Sequence, residues 1–278
     1  MTESEKLSEN TKSNFYPAFL LLEKDKKHAL SIIYAFAKDI DDIADNTILR
    51  EEEKRNLLNI WKNKIEEIYR DNPADSLSES LAWVIKKFNI EKKMFLELIN
   101  GVSRDLDEAT YNTFEDLKKY MYQVAVIPGL ITLDILEYKG EHRQSLAENL
   151  GYAVQLTNII RDIYEDAKID RFYIPSEDMK RFDISSDYIK TEKFSENFYN
   201  MMLFEYNRAK ELYSSSLEIL SLEKKEKLKL PLAMAIIYKK LLDKIRRQNF
   251  DIRKKIPKIN KLEGMIIILK VYFNSEIL

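Results

Sequence analysis

The sequence predicts an all-helical protein that folds as a single domain. Apolar side chains recur at helical period along nearly all of its 278 residues. Only five glycines occur, too few for a β protein rich in turns. Hydrophobic residues make up 45% of the chain and charged residues 33%, as expected of long amphipathic helices with a large core. No linker or repeat divides the chain, so we expect one bundle over 1–278, with a flexible segment at 1–13.

Apolar periodicity predicts nine helices. They are expected at 24–46, 51–70, 77–88, 91–107, 113–138, 141–166, 195–220, 229–249 and 261–273. Turn-forming residues separate several of them, such as 71–73 after the second helix and Gly140 before the sixth. Pro128 and Gly129 interrupt the fifth helix, where proline removes a backbone hydrogen bond at a cost of about 3 kcal/mol. This interruption predicts either a helix boundary or a kink that opens space beside a pocket.

Composition excludes several classes of function. The net charge is -2 and the pI about 6.0, so no basic excess indicates a nucleic-acid partner. Without cysteine there is no disulfide, zinc-thiolate site or cysteine nucleophile. The glycines form neither GxGxxG nor GxxxxGK[ST], so a diphosphate would have to be held by side chains and metal. No apolar stretch is long enough for a membrane span or a signal peptide, and we expect a cytoplasmic protein.

An acidic cluster, DIDDIAD at 39–45, ends the first predicted helix. Asp41 and Asp45 lie about 40° apart on one helical face, with Asp42 on its flank. Like charges at this spacing repel one another by a few tenths of a kcal/mol. The preceding residues 29–37 are mostly apolar, so the acids follow directly from a core-facing stretch. This cluster alone is compatible with a metal site and with an ordinary solvated helix end.

A second strip of oxygen ligands lies on the sixth predicted helix. Asn158, Asp162 and Asp166 follow one another at i, i+4 and i+8, beside isoleucines that cover a different face. Burying acids is costly unless they are paired or coordinate a metal. Two such strips could face one another across a bundle. Hard oxygen ligands suit Mg²⁺, whereas zinc would have only His28 and His142.

The residues around both clusters resemble the squalene and phytoene synthase family. FYPAFLLLEKDKKHALSIIYAFAKDIDDIAD at 15–45 is similar to the family's opening, and LGYAVQLTNIIRDIYEDAKIDRFYIPSEDM at 150–179 to its second motif. Residues 120–129 resemble its tyrosine-rich segment, and 238–252 its carboxy-terminal segment. The matches occur in order over about nine-tenths of the chain. The resemblance implies the all-α isoprenoid-synthase bundle with a central apolar cavity.

The resemblance also implies a role for each matched residue. The metal ligands would be Asp41, Asp42, Asp45, Asn158, Asp162 and Asp166. The catalytic residues would be Tyr120, Arg171 and Tyr173. The substrate-binding residues would be Phe15, Phe19, Lys38, Gln155 and Asn158. The chain departs from the family at two places: lysine stands at position 38 where arginine is usual, and the middle motif, AVIPG at 125–129, lacks a glycine.

The implied activity is the head-to-head joining of two prenyl diphosphates. Mg²⁺, or Mn²⁺ in its place, would assist diphosphate ionisation. A cyclopropyl diphosphate would form first and then a linear product, with NADPH needed only for squalene. The opening segment favours two farnesyl diphosphates, which give presqualene diphosphate and squalene. The alternatives are phytoene from two geranylgeranyl diphosphates, dehydrosqualene, a head-to-tail elongator or terpene cyclase, and a non-catalytic helical interaction protein.

The last predicted helix, 261–273, is apolar but short, and lysines frame its core. Such a helix can lie in a membrane interface, although packing against the core is the alternative. We therefore expect a cytoplasmic protein with peripheral contact at the inner membrane face, where an apolar product would be released.

Overall fold

The computed structural model describes residues 21–107, 110–223, 226–253 and 256–273. The helical segments are α1 (Lys24–Ala44), α2 (Glu51–Ile68), α3 (Ser76–Phe88), α4 (Lys92–Arg104), α5 (Phe114–Met121), π1 (Tyr122–Val126), α6 (Ile127–Ile135), α7 (Arg143–Lys168), α8 (Ser176–Arg181), α9 (Ser186–Lys190), α10 (Glu196–Leu222), α11 (Lys229–Arg247) and α12 (Lys261–Phe273). Within these ranges the only β pairing is one parallel bridge, between Thr110 and Phe172. The all-α prediction is confirmed. Phe15, Phe19 and the flexible segment predicted at 1–13 lie outside the described residues.

Helix α7 lies at the centre of the bundle. It packs against α5, π1, α6, α9, α10 and α11. The hydroxyls of Thr157 on α7 and Tyr213 on α10 are hydrogen-bonded at 2.9 Å, and both residues are fully buried. Because neighbours enclose α7 on several sides, Asn158, Asp162 and Asp166 are carried by a core helix.

Helix α1 packs its apolar face against α2, α3 and α4. Phe36 is fully buried there and meets the rings of Trp61 and Phe95 edge-on, with centroids 5.1 and 5.6 Å away. The indole Nε1 of Trp61 donates a hydrogen bond of 2.7 Å to Asp39 Oδ2. Asp39 therefore fastens α1 to α2, and the remaining acids of 39–45 are left at the end of the helix.

Several helices begin where side chains cap the free backbone N–H groups. Asp75 accepts a hydrogen bond from the Ser78 amide before α3, and Ser195 accepts one from the Phe198 amide before α10. Thr113 and Asp116 form a reciprocal capping box at the start of α5. These caps explain why the predicted starts of the three helices lie within a residue or two of the observed ones.

The single helix predicted at 113–138 is divided by the π-helical segment π1. Its diagnostic bond runs from the Ile127 amide to the Tyr122 carbonyl, five residues back. Pro128 follows immediately and has no N–H, so the ordinary ladder cannot continue through it. The irregularity therefore lies just before Pro128, and proline stands in the first turn of α6. The helices α8 and α9 were not predicted, because each is too short to show a period.

Two glycines let π1 pack closely against its neighbours. A Cβ atom added at Gly101 of α4 would lie 2.6 Å from Gln123 Cβ, and one at Gly151 of α7 would lie 3.1 Å from Val126 Cα. Both distances are below ordinary van der Waals contact. The absence of a side chain at these two positions therefore fixes how near α4 and α7 approach the π-helical segment.

Candidate active site

The loop after α7 meets the acidic end of α1. Arg171 Nη1 donates a hydrogen bond of 2.6 Å to Asp45 Oδ1, and its Nη2 lies 3.4 Å from the Ala44 carbonyl oxygen. The Arg171 side chain is only 12% exposed, whereas that of Asp45 is 59% exposed. A nearly buried guanidinium is thus held against the first acid cluster, with the carboxylate on the solvent side.

The two acid strips face the same place. Burial raises the pKa of Asp166 on α7 to about 7, and the charges of Asp162, Asp105 and Asp45 add to the rise. The carboxylate of Asp41 keeps one side open to solvent. Even so, the protein around the rest of it raises its pKa to about 7, with further contributions from Asp45 and Asp105. The structure therefore brings Asp166 together with Asp41 and Asp45, which the sequence had placed on a different helix from Asp166.

The other two residues of the α7 strip have different surroundings. Arg161 holds Asp162 through two hydrogen bonds of 2.8 and 2.5 Å. Asn158 Nδ2 donates a long hydrogen bond of 3.4 Å to Gln155 Oε1. Asn158 Oδ1 is buried and has no hydrogen-bond partner among the described residues. An unsatisfied buried oxygen is costly in an ordinary core, so this amide oxygen is suited to a ligand role.

Lys38 and Asp42 lie on the outer flank of α1. Their side chains are 49% and 66% exposed and form an ion pair at 3.7 Å. Neither contacts the nearly buried Arg171 in the described structure. Their proposed roles toward metal and diphosphate stay predictions.

Asp105, which the sequence analysis missed, stands at the base of the site. It follows the last residue of α4 and accepts hydrogen bonds from Tyr120 Oη at 3.1 Å and from Tyr173 Oη at 2.8 Å. The rings of Tyr120 and Tyr173 stack with centroids 5.4 Å apart, and Tyr111 packs against both. All three tyrosines are buried. Nothing in the local sequence marks Asp105, because its two partners lie 15 and 68 residues away.

A small cavity beside this cluster, about 10 Å³ and so roughly the size of one water molecule, combines charged and apolar walls. Its lining consists of Asp166, Arg171, Tyr173, Phe172, Ile159, Ile163, Ile174 and Ile189. The isoleucines from α7 are the apolar stripe that the sequence places beside the oxygen strip. An ionic end next to an aliphatic wall is suited to a ligand with a charged head and a hydrocarbon tail.

The donor set fits a hard divalent cation. Asp41 and Asp166 have raised pKa values because the surrounding protein desolvates them and other carboxylates lie nearby, and a cation would relieve that repulsion. The orphaned oxygen of Asn158 supplies a neutral oxygen ligand on the same helix. Within the described ranges, no three acids, histidines or cysteines converge closely enough to hold one ion by themselves.

Fold and site thus define an all-helical protein with two acid strips and an arginine at the mouth of an apolar cavity. The family model of squalene/phytoene synthase matches residues 9–263. The chain therefore belongs to the squalene/phytoene synthase family, which confirms the resemblance seen in the sequence.

The curated relatives compared below are all named phytoene synthases. The phytoene synthase of Arthrospira platensis is 28% identical over 252 residues, covering 86% of this chain and 81% of the relative. The 15-cis-phytoene synthase of Synechococcus elongatus is 26% identical over 266 residues, covering 89% and 85%. The chain spans only 66% of the chloroplastic phytoene synthase of Daucus carota and 61% of phytoene synthase 1 of Arabidopsis thaliana.

Two similar solved structures are named for C30 products instead, a dehydrosqualene synthase and a squalene synthase. A ligand complex of a dehydrosqualene synthase superposes with a TM-score of 0.84 at 27% identity, covering 97% of this chain and 93% of the other. The squalene synthase of Alicyclobacillus acidocaldarius superposes with a TM-score of 0.80, covering 88% and 92%, and at 23% identity it supports the fold alone. The predicted isoprenoid-synthase fold is confirmed.

Proposed function

We propose that this chain is a prenyltransferase that joins two prenyl diphosphates head to head. One observation carries the proposal: Asp41 of α1, Asp45 directly after α1 and Asp166 of α7 surround Arg171 at the mouth of an apolar cavity. Diphosphates are anionic and their prenyl chains are apolar, so each end of the substrate has a matching wall.

Each group has a task in this scheme. Arg171 binds a diphosphate oxygen and neutralises charge on the departing group. Asp41, Asp45, Asn158, Asp162 and Asp166 would hold Mg²⁺, which supplies Lewis-acid assistance to ionisation when bound. The isoleucines of α7 exclude water from the allylic cation, and Tyr173 places an aromatic ring in the cavity wall beside it.

For the product we favour phytoene, in place of the squalene that the opening segment suggested. The curated relatives described above are all named phytoene synthases. Two C20 geranylgeranyl diphosphates would each lose diphosphate, and two protons would leave in total, which gives a C40 hydrocarbon without any reductant. NADPH would be needed only for squalene, where a hydride replaces the second proton loss.

A C15 substrate is the second candidate. The dehydrosqualene synthase structure covers nearly the whole chain at 27% identity, and its name implies a C30 product formed without reduction. A test gives the purified protein equal farnesyl and geranylgeranyl diphosphate with Mg²⁺, with and without NADPH, and identifies products by mass spectrometry. A dominant C40 product supports phytoene synthesis. A dominant C30 product corrects the substrate, and no head-to-head product overturns the proposed activity.

We also propose that α12 places the protein on an anionic membrane surface. One face of α12, with Gly264, Ile267, Ile268 and Val271, packs into the bundle, so the core-packing alternative is correct for that face. The opposite face exposes a continuous apolar row: Leu262, Met265, Ile266, Leu269, Tyr272 and Phe273. No helix in the described part of the chain is long and apolar enough to cross a membrane.

Charge around this row favours lipid over a second copy of the chain. The preceding segment RKKIPKIN, 253–260, has four basic residues and no acid. Exposed Lys261 and Lys270 flank the row on α12 itself. Two copies packed face to face would oppose these lysines, whereas an anionic headgroup layer pairs with them. An apolar helix face and a basic segment together provide the two signals that stable peripheral binding requires.

Flotation with phosphatidylglycerol vesicles and with phosphatidylcholine vesicles tests this surface. The variant Leu262→Ser/Ile266→Ser/Leu269→Ser should lose binding to the anionic vesicles without losing helical content. Ile60→Ser removes an equally exposed isoleucine from α2 and should bind as the wild type does. Wild-type protein that stays with neither vesicle, or a triple variant that floats normally, would reject the membrane contact.

A further inference from the structure

We infer that Asp105 is a positioning residue that orients the hydroxyls of Tyr120 and Tyr173 for the second half of the reaction. This role rests on the proposed head-to-head condensation and adds a residue that the acid clusters do not contain.

The two oxygens of Asp105 are divided between the tyrosines. Oδ1 accepts from Tyr173 and Oδ2 accepts from Tyr120. A carboxylate only accepts, so both tyrosines must donate to it. Each hydroxyl proton is therefore directed to Asp105, and the two hydroxyls also lie close enough to interact with each other. A neutral amide at the same place could accept from only one tyrosine and would donate to the other.

The rings keep this arrangement rigid. Tyr120 and Tyr173 stack at an interplanar angle of 24°, and Tyr111 closes the other side with centroids 5.4 and 6.1 Å away. All three rings are at least nine-tenths buried. They belong to three separate segments, since Tyr120 lies on α5, Tyr111 before it and Tyr173 after α7. Asp105 is the polar contact shared by two of them.

Tyr173 also lines the cavity beside Arg171 and Asp166. Its hydroxyl is thus close to where an ionised diphosphate and an allylic cation would separate. Fixed donation to Asp105 prevents this hydroxyl from donating its proton to the diphosphate, and turns the negative end of its O–H dipole toward positive charge. The second ionisation generates a cation that rearranges before it is quenched, so it depends most on fixed dipoles and on a dry wall.

Asp105→Asn keeps the shape of the side chain and tests the inference. We expect at least a tenfold lower kcat for the final hydrocarbon, little change in KM, and accumulation of the cyclopropyl diphosphate intermediate. Asp134→Asn is the control. Asp134, on α6, is another partly buried acid and forms an ion pair of 2.8 Å with Arg143 at the start of α7. It should lower the melting temperature without changing the ratio of intermediate to product.

A double-mutant cycle separates positioning from a general structural effect. In a Tyr120→Phe/Tyr173→Phe background, Asp105→Asn should have little further effect on kcat, because both hydroxyls are already gone. A full additional loss there, or wild-type behaviour of Asp105→Asn alone, would overturn the role. If Asp105→Asn does not fold, the double tyrosine variant decides, and wild-type kcat in it rejects the inference. Wild-type protein without head-to-head product would reject the proposed function and this role with it.

Discussion

Arg171 lies 2.6 Å from Asp45, a residue 126 positions earlier in the chain. The contact joins the loop after α7 to the end of α1, and the positive charge lowers the pKa of both Asp41 and Asp166 against the larger effect of burial. One guanidinium thus partly balances both acid strips. The carboxylates around it outnumber it, so the site retains negative charge that a divalent cation would neutralise.

Replacing this arginine should remove diphosphate binding and charge stabilisation together. For Arg171→Gln we expect kcat/KM to fall by about 10²–10³, the usual effect of losing one charge-stabilising donor. Arg50→Gln is the control, since Arg50 is exposed and paired only locally with Glu53. Steady-state kinetics with the preferred prenyl diphosphate measure the effect. Equal rates for both variants would place the diphosphate elsewhere.

Removing one acid should have opposite effects on stability and activity. Asp166→Asn relieves repulsion from Asp162, Asp105 and Asp45, so the metal-free melting temperature should rise by about 1–4 °C. Turnover should be abolished, because a proposed metal ligand is lost. Asp187→Asn, at an exposed position of α9, should change neither quantity. A destabilised Asp166→Asn that kept its activity would contradict the metal site.

The pH dependence of metal binding has a definite sign. Asp41 and Asp166 have pKa values of about 7 in the folded protein, against 3.8 as the ordinary value. Between these values the folded state binds more protons than the unfolded state, so the stability of the metal-free protein falls as pH rises. Mg²⁺ bound at these carboxylates would displace those protons, so its stabilising effect should grow between about pH 6 and about pH 8. Thermal melts with and without Mg²⁺ and diphosphate measure it, and a shift independent of pH would refute the mechanism.

The sequence predicts most of the fold because local chemistry determines helix ends. Ser195 caps α10 and Asp75 caps α3, and both signals can be read without tertiary contacts. The division at π1 could be located only partly. Pro128 shows that the ladder must break, but close packing of π1 against Gly101 and Gly151 becomes visible only when α4 and α7 are in place.

In the candidate site, too, the residues marked by local spacing could be predicted and those that depend on tertiary contacts could not. Asp41, Asp45 and Asp166 could be predicted because each repeats at helical spacing with other acids. Asp105 could not, since it follows the end of α4 and receives its hydrogen bonds from tyrosines far along the chain. The partnership of Arg161 with Asp162 was also missed, because adjacent residues on a helix do not ordinarily face one another.

Two glycines allow a paired test of the packing around π1. A Cβ at Gly101 would lie 2.6 Å from Gln123 Cβ and 2.8 Å from Val124 Cγ1, so Gly101→Ala should destabilise the protein by about 1–3 kcal/mol. At Gly129 the nearest atom is Ala147 Cβ at 3.8 Å. Gly129→Ala should be neutral, or stabilising by up to about 1 kcal/mol through helix propensity. Urea unfolding measures both, and equal effects would show that α4 can move away from π1.

Outside the active site, Arg208 joins two buried acids. Its Nη1 donates to Asp178 Oδ2 at 2.9 Å and to the Glu205 oxygens at 2.9 and 2.8 Å, while the Phe114 ring lies 3.9 Å from the guanidinium carbon. Glu205 is fully buried and Asp178 nearly so. The cluster connects α10 to α8, the helix that begins just after Tyr173 and thereby anchors one side of the site.

Arg208→Met should destabilise the protein by about 3–5 kcal/mol, because it leaves two buried acids without a cation. Burial raises the pKa of Glu205 to about 8, against 4.5 as the ordinary value, so the folded state holds a proton on this group up to about pH 8. Between those values stability falls as pH rises, and without Arg208 the fall should extend to higher pH, because ionised Glu205 then has no partner.

Arg181→Met is the control. It removes a guanidinium that stacks on Phe204 at 4.6 Å from the exposed side of α8, and it should cost under about 1 kcal/mol. Urea unfolding at about pH 6 and about pH 9 measures the loss of unfolding free energy in the two variants. If Arg208→Met lost no more than Arg181→Met at both pH values, the buried acids would be neutral without their arginine.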